Sequence, residues 1–471
     1  MDFVGIKIIG AVGVAGSKGL AAPTGHQVTD TIPIAPVDWS GWKDKRPRTY
    51  RPDPDTRMDA SIRLVEKQRY ILEAIYDRIA FVEVRKRARR VQDRSTFRRT
   101  VEMLIANIVW AHHVRFSSTI CYYRAKDKKY QAEWLTPENL LNAIGVLQTA
   151  GLIVTQIGVW KGDCSTFDAT RELHKVLSEH GLDERHLEQD PQAVVLVRMK
   201  DDDKDPVTLD ENEPEVISIC EPLERFNEFL AGHELALNCS PEELDGLCGS
   251  MKDRAFRKSL KLPLRPELYR KTLYRSFLQR RWDRGGRLWG GWWQTIPSDW
   301  RPRITIDGEE TTELDYSGFS VRLMYHEMGI PYEGDPYIID QLGKAASPLF
   351  YRDVIKEIAQ ALINSDQNTK RPESITISKK LPKGMTRRNI REWIEEKHST
   401  IAHKFHQGYG ISIMFVESLI TSKIIEVGLQ DGIVVLPIHD SFVVQRKNET
   451  WLRDSMIKVY ADIVGSIPLV H

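Results

Sequence analysis

The stretch VVLPIHDSFVV, residues 434–444, contains a charged residue inside an apolar segment. β-Branched and apolar residues flank the triplet His439-Asp440-Ser441, and this pattern is typical of two buried strands joined by a turn. A carboxylate in such a segment is costly unless it is paired, hydrogen-bonded or bound to a metal ion. Asp440 is therefore a candidate functional residue, and a plain turn residue in a hairpin is the alternative interpretation.

A second aspartate stands at the end of another predicted strand, 125 residues earlier in the chain. In TELDYSGFSVR, residues 312–322, an apolar strand position leads into Asp315, and helical spacing begins at Phe319. An aspartate at such a junction often caps the helix, but it is equally well placed to bind a cation. We expect Asp315 and Asp440 to lie on adjacent strands, where two carboxylates can bind a pair of Mg²⁺ ions.

A helix is predicted after residue 351, with positive charge on one face. Arg352 and Lys356 lie one helical turn apart. The apolar side of this helix consists of Ile355, Ile358, Ala359, Leu362 and Ile363. Phosphoryl transfer needs little beyond positioning and positive charge, so this face is a candidate triphosphate site.

Glycine and tryptophan recur in GGRLWGGWWQTIP, residues 285–297. Glycine lets a backbone approach a ligand, Arg287 offers a planar fork of donors, and indole rings stack on bases or sugars. For the individual tryptophans, packing in the core is the alternative role. Residues 251–303 carry 15 Lys and Arg against 4 Asp and Glu, which favours contact with nucleic acid over a merely solvated surface.

In chain order the motifs are GRL…QxIP, DYSxxxxR, RxxxK and HDSF, and this set resembles the right-hand polymerases. Over about residues 285–444 the chain is similar to the superfamily that joins family A DNA polymerases with single-subunit, phage-type RNA polymerases. The resemblance implies a polymerase palm built on an antiparallel sheet, with reduced helical fingers. It also implies two bound Mg²⁺ ions, with Mn²⁺ as an alternative.

The resemblance assigns roles residue by residue. Asp315, Asp440 and the Tyr316 carbonyl would bind the metal, and His439 would lie beside the primer terminus. The incoming triphosphate would meet Arg352, Lys356, Ser320 and Gln360. The primer and template would contact Arg287, Gln294 and Arg322.

The sequence departs from the DNA polymerase pattern at the sugar site. Ser320 stands where family A DNA polymerases have a glutamate that helps exclude the ribose 2′-hydroxyl, and HDSF matches the RNA polymerase form. These features favour ribonucleotides, whereas GRL…QxIP is more similar to the DNA enzymes. The expected sugar-sensing tyrosine is missing from the segment after Lys356. An alternative alignment uses Tyr409-Gly410, but it places Ile401 where the lysine belongs.

Residues 136–177 predict a second nucleic-acid-binding element. Thr136-Pro137 starts a helix and Gly151 ends it, two strands follow at 152–157 and 165–170, and another helix begins near Leu173. This order resembles the winged helix-turn-helix of plasmid replication initiators and transcription factors, a module that also serves protein–protein contacts. In the DNA-binding interpretation, the side chains that face nucleic acid are Asn139, Asn142, Gln148 and Lys161.

Composition and length set the remaining expectations. With 471 residues, 41% hydrophobic and 28% charged, the chain is typical of a multidomain globular protein. We predict an α+β protein with an extended arm at 1–58, a helical winged-helix module at 59–180, an acidic hairpin region at 181–250 and polymerase-like palm and fingers at 251–471. The hairpin strands are expected at 194–199 and 216–220.

Five scattered cysteines without a CxxC pair indicate a reducing compartment, the cytoplasm, and no apolar run is long enough to cross a membrane. The N-terminus, with a single weak apolar run at 8–15, favours a loosely ordered segment over a signal peptide. The oligomeric state is left open by the sequence.

The sequence thus predicts a template-directed nucleotidyltransferase of a mobile element, an RNA polymerase or primase-polymerase. Its partners would be nucleoside triphosphates and a DNA template and primer, with RNA as an alternative. A family A-like DNA polymerase is one alternative. A DNA-binding replication initiator or regulator that has lost catalysis is another, because the motif after Lys356 is altered and the fingers are short.

Overall fold

The computed structural model describes residues 58–82, 89–113, 119–122, 134–158, 165–258, 265–343, 348–366, 377, 381 and 385–471. The predicted N-terminal arm lies outside the described residues except for Met58. Most of the predicted hairpin tip at 158–164, including Lys161, also lies outside them.

The described chain mixes helices with mainly antiparallel sheets, which agrees with the predicted fold class at this coarse level. The helices are α1 (Ile71–Val82), α2 (Val91–His113), α3 (Pro137–Thr149), α4 (Arg171–Glu179), α5 (Pro214–Ala231), α6 (Pro241–Lys258), α7 (Phe319–His326), α8 (Asp340–Gly343), α9 (Arg352–Asn364), α10 (Arg387–Lys397), α11 (Gly410–Asp431) and α12 (Glu449–Val464). The strands are β1 (Ile62–Leu64), β2 (Thr119–Tyr122), β3 (Ile153–Gln156), β4 (Ser165–Ala169), β5 (Leu187–Gln189), β6 (Val197–Lys200), β7 (Pro206–Val207), β8 (Leu235–Leu237), β9 (Tyr274–Leu278), β10 (Arg281–Trp289), β11 (Ile304–Ile306), β12 (Glu309–Asp315), β13 (Leu436–Ile438) and β14 (Ser441–Gln445). None of the helices within the described ranges is both long and apolar enough to span a membrane.

α2 packs against α3 and β1 and buries almost every side chain along its second half. The predicted order of helix, two strands and helix is present as α3, β3, β4 and α4. The Thr136 hydroxyl accepts a hydrogen bond from the Asn139 amide at 3.2 Å and so caps α3. β4 lies between β3 and β2, and β2 was not predicted because its four residues are too short to show a period.

The hairpin predicted at 194–220 is wrong in its second strand. β6 pairs with β7, a strand of only two residues, and residues 216–220 lie inside α5 instead. Pro214 occupies the first turn of α5, where its missing N–H costs nothing, and Val216, Leu223 and Phe226 are buried. Packing of this apolar side against the core therefore outweighs the β-propensity of the Val-Ile-Ser-Ile-Cys run.

The sheet that carries both candidate aspartates has the strand order β13-β14-β12-β11-β8. β12 and β14 pair antiparallel, with Asp315 opposite Ser441, and β13 and β14 form the hairpin around Asp440. α12 packs against β12 and β14, while α11 packs against β10 and contacts α7, α9 and α12. These elements bury one apolar cluster that fixes where the strand ends lie.

Candidate active site

Asp315 and Asp440 come together because they end two neighbouring strand segments. Asp315 is the last residue of β12, and Asp440 directly precedes β14 in the turn after β13. The Tyr316 amide donates to the Asp440 carbonyl at 3.3 Å, so the two backbones are in contact. The backbone of Asp315 also exchanges two hydrogen bonds of 3.0 Å with His471. The site is thus anchored on both sides of β12.

The two carboxylates interact electrically. Burial and, after it, the charge of Asp440 raise the pKa of Asp315 to about 7, while Lys356 acts in the opposite direction. Burial also raises the pKa of Asp440, against the lowering effects of Lys356 and Arg287. Asp315 nevertheless keeps exposed surface and Asp440 is half-buried, so solvent can reach both residues.

These residues fit a divalent cation with few protein ligands. Among the described residues, no group of three or more His, Cys, Asp or Glu side chains is arranged to hold a metal ion. Mg²⁺ is commonly bound by one or two carboxylates, with water and substrate phosphates in the other positions. A cation between Asp315 and Asp440 would offset the repulsion that raises the pKa of Asp315.

The predicted triphosphate residues lie on one helix but face different partners. Lys356 is exposed on α9, and its charge reaches both aspartates. Arg352 donates from Nε to Asp335 at 2.6 Å, and its guanidinium lies 5.4 Å from the ring centre of Tyr337. Gln360 donates to the Tyr337 hydroxyl at 3.4 Å. The structure therefore brings Lys356 to the carboxylates and holds Arg352 and Gln360 against the 335–337 segment.

His439 occupies a restrained position beside Asp440. Its backbone is left-handed, with φ of 60°, and its ring packs edge-on against Trp289 at 5.0 Å between ring centres. Burial and, after it, the charges of Arg287 and Arg301 lower the pKa of His439 to about 4. The imidazole is therefore neutral at pH 7.

Arg287 is held by an acidic residue that the sequence analysis missed. Glu417 on α11 accepts two hydrogen bonds from Arg287, at 2.6 and 2.5 Å, and is 3% exposed. Burial raises the pKa of Glu417 to about 7, with Arg287 opposing and Asp440 reinforcing the rise. The sequence signal that could have identified Glu417 is a single acid within the apolar run 413–420. Its partner, however, lies 130 residues earlier in the chain.

Glu313 was also missed, although it stands two residues before Asp315. It accepts a hydrogen bond from the Ser441 hydroxyl at 2.6 Å and one from Arg301 at 2.8 Å. Its charge contributes to the raised pKa of both Asp315 and Asp440. Ser441 is therefore tied to the strand pair through Glu313.

Two other predicted residues, Gln294 and Arg322, are bonded to protein groups. Gln294 donates to the carbonyls of Leu288 and Pro437, at 3.1 and 3.0 Å. Arg322 is buried and donates to the carbonyls of Tyr332 and Gly334. Ser320 is half-buried in the first turn of α7. In this conformation the Gln294 amide supports β13, and the Arg322 guanidinium supports residues 332–334. Both groups thus bind protein carbonyls and are not directed to an outside ligand.

The predicted residues of the N-terminal element do not belong to this site. Asn142 and Gln148 are exposed on α3 and Asn139 is half-buried, whereas the buried side of α3 joins a separate apolar cluster.

No protein-family model, curated protein or solved structure matches this chain. The interpretation of the site therefore depends on its geometry and on the order of its motifs.

Proposed function

We propose that this protein is a template-directed nucleotidyltransferase that uses two Mg²⁺ ions. The observation that carries the proposal is the β12–β14 pairing, which brings Asp315 beside Asp440 with the charge of Lys356 acting on both carboxylates. A strand pair with two carboxylates at its end, covered by helices, is the arrangement expected of a polymerase palm. The order of the sequence motifs supports the same class of enzyme.

In this proposal each residue near the strand ends has a defined task. Asp315 and Asp440, together with the Tyr316 carbonyl, would hold the metal ions. Mg²⁺ held there would supply the positive charge that lowers the pKa of an attacking hydroxyl and stabilises a leaving oxygen. Lys356 adds positive charge for the triphosphate, and the buried Glu417 fixes the side chain of Arg287. Mn²⁺ carries the same charge and also accepts oxygen ligands.

The sugar preference in this proposal follows from Ser320. A small side chain in the first turn of α7 leaves space that a glutamate would fill, so we assign ribonucleotides as substrates and an RNA polymerase or primase-polymerase activity. We further assign a winged-helix role to α3, β3, β4 and α4, whose exposed Asn142 and Gln148 would meet the nucleic acid.

The test is an extension assay with primed and unprimed templates, Mg²⁺, and either NTPs or dNTPs. We expect extension with NTPs, and a loss of more than about 100-fold in the Asp440→Ala variant. Asp454→Ala, which removes an exposed carboxylate from α12, is the matched control and should leave the rate unchanged.

Each outcome separates the candidates. Tight duplex binding without extension by either nucleotide set would favour the inactive initiator or regulator and contradict the proposal. Extension that survives Asp440→Ala would contradict the metal site. A wild-type preference for dNTPs would favour the family A-like DNA polymerase and contradict the assignment from Ser320.

A further inference from the structure

The tryptophans of the 285–297 segment divide into two kinds. Trp292 and Trp293 are fully buried, and the indole N–H of Trp293 donates to the Pro437 carbonyl at 3.1 Å. Trp289, at the end of β10, is 38% exposed. Core packing therefore accounts for Trp292 and Trp293 but leaves an open indole surface at Trp289.

The open indole lies next to the candidate active site. The rings of Trp289 and His439 meet at 5.0 Å with an interplanar angle of 68°, and His439 directly precedes Asp440. We call these two rings the aromatic pair. No described group bonds to the buried Nδ1 atom of His439. The aromatic pair is therefore a surface of two ring systems beside two carboxylates.

The backbone around the aromatic pair is fixed before any ligand binds. Gly290 has φ of 118°, and a Cβ atom there would lie 2.3 Å from the Thr272 carbonyl oxygen. At Gly291 a Cβ atom would lie 2.3 Å from the indole of Trp293. On the opposite side, the left-handed backbone of His439 sets the direction of the imidazole. Preorganisation of this kind lowers the entropic cost of binding a flat ligand.

The chemistry of this surface selects a nucleobase. The exposed part of this surface is the indole of Trp289, which offers a phosphate no positive charge, whereas every base has a π-face that stacks on an indole independently of sequence. We propose that Trp289, supported by His439, stacks on the terminal base of the strand that is being extended. This inference rests on the proposed function, because it places the strand end beside Asp315 and Asp440.

The experiment measures binding rather than turnover. Fluorescein-labelled primer–templates with a normal or an abasic 3′ end are titrated with the full chain in Mg²⁺, and dissociation constants are obtained from anisotropy. Trp289→Leu should weaken binding of the normal end by about 10–100-fold, whereas Trp289→Phe should stay within about threefold of wild type. Trp282→Leu, on the same strand but packed against Phe277, should bind normally.

The abasic end distinguishes stacking from a structural effect. Wild type should lose about the same factor when the terminal base is removed, and Trp289→Leu should lose nothing more. An equal abasic penalty in wild type and Trp289→Leu, or normal binding by Trp289→Leu, would overturn the inference, as would absence of nucleic-acid binding. An abasic-sensitive wild type that extends no strand would contradict the proposed polymerase activity and leave the stacking role intact.

Discussion

Lys356 connects the predicted triphosphate site with the paired carboxylates. It is exposed on α9, and its charge opposes the raised pKa of both Asp315 and Asp440. A positive charge at this position acts on substrate phosphates as they gain charge in the transition state. Its contribution should therefore appear in the rate of chemistry more than in the stability of the fold.

We expect Lys356→Met to lower kcat for extension by about 100-fold and to leave the melting temperature unchanged, because Lys356 is exposed on α9. Single-turnover kinetics with saturating nucleotide measures this loss. Lys458→Met, at another exposed helical lysine, provides the control. Equal rates for the two variants would show that Lys356 does not act on the substrate.

The buried pair of Glu417 and Arg287 makes a different prediction. Glu417→Ala leaves the Arg287 guanidinium without its partner in a desolvated position, so the free energy of unfolding should fall by about 3 kcal/mol. Glu417→Gln retains an acceptor and should cost less. Glu426→Ala on the same helix removes an exposed pair with Lys423 and should cost under about 0.5 kcal/mol. Denaturant unfolding tests this order, and similar losses for Glu417→Ala and Glu426→Ala would contradict it.

The two aspartates and Glu417 show what sequence can predict about single residues. Asp315 and Asp440 interrupt apolar strand patterns, and the sequence therefore predicts their place at strand ends and on adjacent strands, as the structure confirms. Glu417 lies on a helix where one acid is not unusual. Its partner is set by how β10 packs against α11, which a local pattern cannot show.

At the scale of elements, close packing of β10 on α11 depends on Gly286. Its φ is 77°, and a Cβ atom would lie 2.8 Å from the Ser418 hydroxyl and 3.0 Å from the guanidinium of Arg275. Gly308 has nearly the same φ, 76°, but nothing within 4 Å of its Cβ position. The two glycines therefore share a left-handed backbone, which only an added side chain would strain, and they differ in packing.

We expect Gly286→Ala to lower the free energy of unfolding by about 3 kcal/mol and Gly308→Ala by about 1 kcal/mol, since only the first adds overpacking to strain. Gly286→Ala should also weaken nucleic-acid binding, because it displaces the neighbouring Arg287. Chemical denaturation and the anisotropy titration measure the two effects. Equal destabilisation by both variants would show that the β10–α11 contact relaxes freely.

Long elements with a clear period were predicted well, and short or conflicting ones were not. α9 carries apolar residues at helical spacing, and this predicted helix is confirmed. Residues 216–220, which lie inside α5, were predicted as a strand because the β-branched Val216, Ile217 and Ile219 outweigh, in a local view, an apolar side that continues to Leu230. β8 has three residues and gains its place only by pairing with β11, so no local pattern marks it.

At the scale of the whole molecule, contacts between residues far apart in sequence join regions that the sequence analysis assigned to different domains. Tyr269 belongs to the apolar cluster of the N-terminal helices. The Trp110 indole donates to Glu267 at 2.8 Å, and Arg270 donates to Asp59 at 2.6 Å. These partners are 157 and 211 residues apart. The segment around residue 269 thus packs with the N-terminal helices although it follows the predicted boundary at 250.

Three histidines lie close together in the N-terminal part of the chain, two at the end of α2 and one on α4. The ring centre of His112 lies 4.9 Å from that of His113 and 5.8 Å from that of His174. Burial and, after it, the charges of neighbouring histidines lower the pKa of His112 to about 3 and that of His174 to about 4. Burial also lowers the pKa of His113, although Glu184, at 3.4 Å, opposes the shift.

The histidine cluster predicts acid-sensitive packing of α4. Because the pKa of His174 is about 6.5 when unfolded and about 4 when folded, the unfolded chain binds more protons between these values. The contribution of His174 to the free energy of unfolding is therefore fully present above pH 6.5 and is lost as the pH falls towards 4. Asp315 and Glu417, whose pKa values are raised to about 7, act in the opposite direction, so a global melt mixes both effects.

Comparison of wild type with His174→Phe isolates the effect of His174, because Asp315 and Glu417 are the same in both proteins. Hydrogen exchange of the α4 amides should show wild type losing about 1–2 kcal/mol more protection than His174→Phe between pH 7 and pH 5, after correction for intrinsic exchange. His403→Phe, at a histidine outside this cluster, should follow wild type. Parallel pH profiles for wild type and His174→Phe would mean that His174 titrates alike in the folded and unfolded chain, and the acid sensitivity of α4 would then need another origin.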